Sequence, residues 1–250
     1  MDIDNYQRLT EVFTFDNTPI LAAGVASFVC GYLQYVYAIR LTLREGKGPM
    51  PFWMHSFYLA HDSTWSYLLA NAAPRYDSHW FLWGTSFALA IWAALEIFCI
   101  HRDVTKNREH IFSPLFGPQP QLPEILCYVV MMQLSMYSVV AVLIVLMGEG
   151  SVMQWFCLTN VLIVVGPITG YLERGSRDGL SLGFALTNVA AIIFTFAPFS
   201  FWALSIPELF TQPAYYAAGV VMFLMSLYGV YIVASYPPKK RPKYGPKPIW

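Results

Sequence analysis

The chain has 250 residues, of which 56% are hydrophobic and 17% aromatic, with only 12% charged. That is about half the charge of an ordinary soluble domain (~25%); it excludes a soluble globular enzyme or a nucleic-acid binder and points to a polytopic membrane protein. The formal net charge is zero, so the information lies in how the charges are distributed.

Residues 1–18 are polar and acidic (Asp2, Asp4, Glu11, Asp16). This is the wrong sign for a secretory signal, and they are expected to form a short lumenal segment. Seven runs then reach the ~20 apolar residues needed to cross a bilayer: 19–42, 50–71, 80–101, 123–147, 151–172, 180–203 and 214–236. Pro49 and Pro51 open the second, Gly148 to Gly150 close the fourth, and Pro237–Pro238 end the seventh. Threaded through seven crossings, thirteen of the fifteen Lys and Arg residues fall on one side, leaving only Arg8 and Arg75 on the other. The positive-inside rule makes that side cytosolic. The expected fold is an all-α membrane protein: a seven-helix domain over 19–236, with the N-terminus lumenal or outside. A basic, Pro-rich cytosolic tail follows over 237–250, disordered and close to anionic lipid.

The segments AIRLTLREGKGPMPFWMHSFYLAHD and GPITGYLERGSRDGLSLGFALTNVA align when Gly48 is set on Gly179. Both hold a short basic cytosolic loop, which predicts a parallel repeat of three helices, a linking helix and three helices. Such repeats place functional sites near the bilayer midplane.

The second run carries the feature of greatest interest. His61 and Asp62 lie near its centre, and an Asp at the midplane costs roughly 3 kcal/mol on insertion scales. His55, Tyr58, Asp62 and Trp65 follow at i, i+3, i+7 and i+10, one helical face. His61 is turned about 100° from Asp62 and serves either chemistry or a polar contact to a neighbouring helix. Glu96, on the antiparallel third run, lies at a depth similar to His55; it either pairs with that residue or snorkels to the interface. Gln34, Gln133, Asn160 and Asn188 are further amides within apolar runs, and most such groups glue helices together. Trp80 and Trp83 suit an interfacial belt, whereas Tyr58 and Trp65 share the Asp62 face. A carboxylic acid held neutral at neutral pH is a proton donor in waiting, and ring faces stabilise cations.

Cys30, Cys99, Cys127 and Cys157 all fall in or beside apolar runs without a C-x-x-C pair. They read as small apolar residues, so neither disulfides nor metal are expected. His55 and His61 do not share a face, so no helical metal site is expected from them. No nucleotide loop, H-E-x-x-H or Ser–His nucleophile motif occurs, and no cofactor is expected.

Two segments resemble the fungal membrane-bound terpene cyclases of meroterpenoid and indole-diterpene biosynthesis. GPMPFWMHSFYLAHDSTWSY is similar to that family's second-helix signature, a Tyr-Gly-Met followed by Asn-x-x-Trp-Glu, with Met50 on the Met, Tyr58 on the Asn, His61 on the Trp and Asp62 on the Glu. YLERGSRDGLSLGFALTNVAA resembles its Arg-Gly-Ser-x-x-Gly loop through Arg174, Gly175, Ser176, Gly179 and Ser181. The resemblance implies that Asp62 protonates an epoxide or alkene of a prenyl chain, with His61 or His55 tuning or reloading it. Tyr58, Trp65, His55 and Asn188 would line the substrate pocket. It further implies a lipophilic isoprenoid-derived substrate entering from lipid and an endoplasmic reticulum location beside other pathway enzymes. The family's second acid, on the last helix, has no counterpart in Tyr215–Tyr236, leaving Glu96 as the candidate. A weaker resemblance, to PQ-loop transporters and SWEET sugar exporters, rests on the parallel repeat and on Pro167, although Ile168 stands where their Gln would be. It implies a small-solute or proton-coupled transporter with Asp62 as the coupling site.

Overall fold

The computed structural model describes residues 4–240 and 247–250. These form helices and connecting turns, with no strand among the described residues. Six stretches of the described residues are long and apolar enough to cross a membrane. They are α2 (Thr18–Glu45), α4 (Trp80–Thr105), α6 (Leu122–Met147), α7 (Val152–Arg174), the stretch Leu182–Ser205 that holds α8 (Leu182–Phe196) and α9 (Phe201–Ser205), and α11 (Pro213–Ser235). The helix expected to be the second span, α3 (Phe52–Ala72), is long enough, but its His and Asp residues leave it too polar to join them. Among the described residues there are also three short α-helices, α1 (Asn5–Val12), α5 (Arg108–Phe116) and α10 (Pro207–Phe210). Polarity is inverted relative to a soluble domain. Val145 is 83% exposed while Glu96 is 0% exposed, the pattern of a multi-pass membrane protein whose outer face meets lipid.

Contacts divide the chain into two compact units, one made of the segment up to Asn17 with Phe52–Phe156, the other of Thr18–Pro51 with Cys157–Trp250. This grouping differs from the three, one and three helices expected from sequence order: α2 belongs with the later helices, and α3 with α4 and α6.

In the first unit, α3 and α4 form a long hairpin. It closes through a 3₁₀ turn at Ala73–Tyr76, after which Asp77 and Ser78 both take left-handed backbone angles (φ 52°), which short polar side chains tolerate. Ser66 and Ser86 bind the two helices reciprocally, each hydroxyl donating to the other's carbonyl at 2.9 and 2.8 Å. Polar glue between small residues is the usual device where lipid supplies no hydrophobic drive. On the other side of α3, α6 contributes Gln133, whose amide donates to the Ser56 carbonyl at 3.0 Å, and Tyr137, whose hydroxyl meets Ser63 at 2.9 Å. Asp4 caps α1 by accepting from the Tyr6 and Gln7 amides. Tyr6 donates to the Glu149 carbonyl and Asn5 to that of Gly150, tying α1 to the α6–α7 turn. Burial, with Glu149 close by, pushes the Tyr6 phenol above its usual range.

In the second unit α8 is central. Its neighbours approach closely because two glycines allow it: a Cβ at Gly183 would lie 2.3 Å from the Tyr37 ring, and one at Gly219 of α11 would lie 2.5 Å from Phe196 Cβ. The loop quoted above as a motif, 174–181, works here as a latch. Arg174 donates to the Gly48 carbonyl at 2.7 Å and to that of Asp178 at 3.2 Å. The Gly179 amide donates to Glu45 at 2.7 Å, and Glu45 also holds Lys239 at 2.6 Å. Gly179 has φ +70°, and a Cβ there would crowd the Lys47 carbonyl at 3.0 Å, so the position requires glycine. Ser181 caps α8 by accepting from Phe184 N–H. The alignment of Gly48 with Gly179 therefore marks two loops that hydrogen-bond to each other's surroundings. Of the tail expected to be disordered, residues 241–246 lie outside the described residues. Beyond them the Trp250 carbonyl accepts from Ser181 and Gly183, and the Lys247 carbonyl accepts from Arg44.

Candidate functional site

The face of α3 defined by His55, Tyr58, Asp62 and Trp65 is buried along its length, at 3%, 7%, 4% and 0% exposure. Hydrogen bonding divides it into two carboxyl–imidazole pairs. Toward the start of α3, His55 Nδ1 and Glu96 Oε2 stand 2.5 Å apart. Glu96 has no solvent exposure, so of the two expectations for this residue the pairing holds and the snorkelling does not. The pair forms because α3 and α4 run antiparallel, bringing the first turns of one to the last turns of the other.

Two turns along, His61 Nδ1 and Asp62 Oδ1 stand 2.7 Å apart. His61 was expected to face away from Asp62, toward either chemistry or a neighbouring helix. Its ring instead reaches back to the adjacent carboxyl, because two rotatable bonds recover the 100° that the backbone introduces. The imidazole is packed among rings: Trp155 at 5.6 Å, Phe156 at 6.1 Å and Phe57 at 6.2 Å between centroids, with Trp65 a further 6.2 Å from Trp155. The acid's hydrogen-bond partner is thus set in a cluster of aromatic rings. His61 Nε2 and the indole nitrogens of Trp65 and Trp155 are buried and lack a protein hydrogen-bond partner among the described residues. Such atoms are uncommon enough to require an explanation.

Two participants escaped the sequence reading. Trp155 lies some ninety residues from Asp62 in sequence, and at the head of a span it is indistinguishable from an interfacial Trp. Cys99 stands one turn beyond Glu96 on α4, and its ligand atom, with those of His55 and Glu96, lies within 4.8 Å of the others. The spacing of Glu96 and Cys99 at i and i+3 is the sequence signal for this contact, and a cysteine inside an apolar run is otherwise indistinguishable from a small apolar residue. Asp103 follows one turn later, buried, and accepts from Asn107 at 3.3 Å.

Asn188, expected at the substrate pocket, belongs to the other unit. Its side-chain oxygen accepts from Gln34 at 3.0 Å and its nitrogen donates to the Ile163 carbonyl at 3.2 Å. The second bond has a clear origin. Pro167 lies inside α7 and has no N–H to give to the residue four back, which is Ile163. Asn188 satisfies the carbonyl that proline leaves open, as polar side chains do in apolar surroundings. Asn188→Ala is expected to destabilise the protein by about 1–3 kcal/mol, the cost of leaving buried groups unsatisfied. Adding Pro167→Ala should recover part of that loss. Thermal unfolding in detergent measures both, and an Asn188→Ala protein as stable as wild type would remove this role.

No family model matches the chain, and no curated protein and no solved structure matches it.

Proposed function

We propose that this chain is a membrane-bound, proton-initiated cyclase or isomerase acting on a lipophilic, prenylated substrate. The carrying observation is the Asp62 carboxyl, buried to 4% exposure and hydrogen-bonded at 2.7 Å to His61, whose imidazole packs against Phe57 and Trp155, with Trp65 next to Trp155. An acid beside ring faces and away from water is what protonation of an alkene or epoxide requires: it delivers a proton, and the rings shelter the cation that results. The O–H bond of Asp62 breaks and a C–H bond forms, or an O–H bond if an epoxide oxygen is the acceptor. The cation closes a ring and then loses a proton, which returns to Asp62 through His61. Substrate and product are isomers, and no cofactor is consumed. The unpartnered nitrogens of His61, Trp65 and Trp155 support a site that receives an oxygen on the substrate. Glu96, expected to stand in for a second acid, is paired with His55 at 2.5 Å, and the step as written uses Asp62 alone.

In this proposal α3 crosses the membrane as a seventh span, its polar face turned into the protein. The N-terminus is lumenal, the two loops centred on Gly48 and Gly179 are cytosolic and related by a parallel repeat, and the membrane is the endoplasmic reticulum. Neighbouring pathway enzymes supply the substrate. The competing reading, a proton-coupled transporter of the PQ-loop or SWEET type, is favoured by one observation: two carboxyl–imidazole pairs two turns apart on one helix. The two readings separate in detergent, where an enzyme keeps its activity and a transporter has no gradient to use.

The test incubates microsomes, and then detergent-purified protein, with epoxidised and non-epoxidised farnesyl and geranylgeranyl aromatics. A new product of unchanged mass, formed in both preparations, is the expected result. A product heavier by one water would replace cyclisation with epoxide opening. Absence of turnover across the panel, together with Asp62-dependent solute uptake in vesicles, would establish the transporter instead.

A further inference from the structure

We propose that His55, Glu96 and Cys99 form a binding site for a divalent zinc ion that ties α3 to α4. The three residues bring an imidazole nitrogen, a carboxylate oxygen and a thiol sulfur within 4.8 Å of one another. They are buried to 3%, 0% and 1% exposure. This mixed donor set is the one zinc prefers among the common cations: magnesium and calcium take oxygen ligands, while imidazole and thiolate together favour zinc. Around a tetrahedral zinc, donor atoms stand roughly 3.4–3.8 Å apart, as follows from its ~2.0–2.3 Å bonds. The cluster reaches that spacing by small side-chain rotations, chiefly an opening of the 2.5 Å contact between His55 and Glu96.

Charge supports the same assignment. One carboxylate and one thiolate cancel the two positive charges of the ion, so the ion and its three protein ligands are together neutral, as suits residues buried to 3% exposure or less. Without an ion the same residues can reach neutrality only through the His55–Glu96 pair, with the Cys99 thiol still protonated. Binding therefore releases the thiol proton and displaces the proton held between His55 Nδ1 and Glu96. Three protein ligands leave the fourth position for a water. The geometry is also economical for a hairpin: Glu96 and Cys99 lie one turn apart on α4, His55 projects from the antiparallel α3, and the ion fixes the register of the two. This inference is independent of the reaction assigned to Asp62, which lies two turns from His55 on α3.

The experiment uses the full chain, purified in detergent, loaded with zinc sulfate and dialysed against metal-free buffer. Metal is then counted by inductively coupled plasma mass spectrometry. About one zinc per chain is expected in wild type and in Cys127→Ser, which alters an exposed cysteine. Zinc should fall by at least tenfold in Cys99→Ser and in His55→Ala, with circular dichroism confirming helicity. Cobalt replaces zinc in a second measurement: a thiolate-to-cobalt charge-transfer band in wild type that vanishes in Cys99→Ser supports the site even if His55→Ala fails to fold. A wild-type protein with neither zinc nor the cobalt band would overturn the proposal. So would zinc retained equally in folded Cys99→Ser.

Discussion

Asp62→Asn is expected to reduce product formation by about 10²–10⁴-fold, the range that a positioned general acid contributes, while leaving the protein folded. The substitution is close to isosteric, and the amide can still meet His61 Nδ1, so the packing of the His61 ring against Trp155 has no reason to change. What disappears is the transferable proton. Asp62→Glu keeps the proton but displaces it by a methylene, and misplacement on the order of 1 Å can cost 10²-fold; intermediate activity is expected. His61→Gln preserves a hydrogen bond to the carboxyl but cannot carry a proton. It should slow turnover without changing product identity, since the ring-forming step occurs after the proton has left Asp62. Carrying out the reaction in D₂O on a non-epoxidised substrate adds a readout that a structural role would not move: one carbon-bound deuteron at the protonated position in wild-type product. Full activity in Asp62→Asn, or alkene-derived product without that deuteron, would end the general-acid assignment.

Which parts of this were visible beforehand follows from how far each signal reaches along the chain. Asp62 announced itself because a carboxyl within an apolar run is costly, and that cost is local. The His55–Glu96 pair was anticipated from depth alone: on antiparallel helices joined by a short turn, residues equidistant from the turn must meet. The grouping of α2 with α8 could not be read the same way, because it rests on Gly183 admitting the Tyr37 ring and on the Gln34–Asn188 bond, both between segments about 150 residues apart. The bond from Asn188 to the Ile163 carbonyl has no trace in the sequence pattern, because a carbonyl freed by proline carries no side-chain signature. Arg174, Gly175, Ser176, Gly179 and Ser181 were singled out as a motif without their job being apparent. The job is a loop latch, in which Gly175 and Gly179 supply left-handed angles and Ser176 and Ser181 accept from nearby amides.

Breaking the buried pair on α3 and α4 is expected to have the largest effect on stability. Glu96→Leu removes the group that meets the His55 imidazole at 2.5 Å, and His55→Leu takes the same contact from an acid at 0% exposure. Removing one partner of a buried pair typically costs about 3–5 kcal/mol. Replacing both is different. The double variant His55→Leu/Glu96→Leu exchanges two desolvated groups for an apolar contact of similar volume, and such exchanges are often neutral. The double variant should therefore unfold at a higher temperature than either single variant, and the cycle should return a coupling on the order of 1–3 kcal/mol. Chelator in the buffer throughout restricts the comparison to the pair itself, free of any contribution from a metal. If the two single losses simply add in the double variant, the residues do not hold each other, and the α3–α4 hairpin depends instead on its serine crossing at Ser66 and Ser86 and on the packing around Trp65.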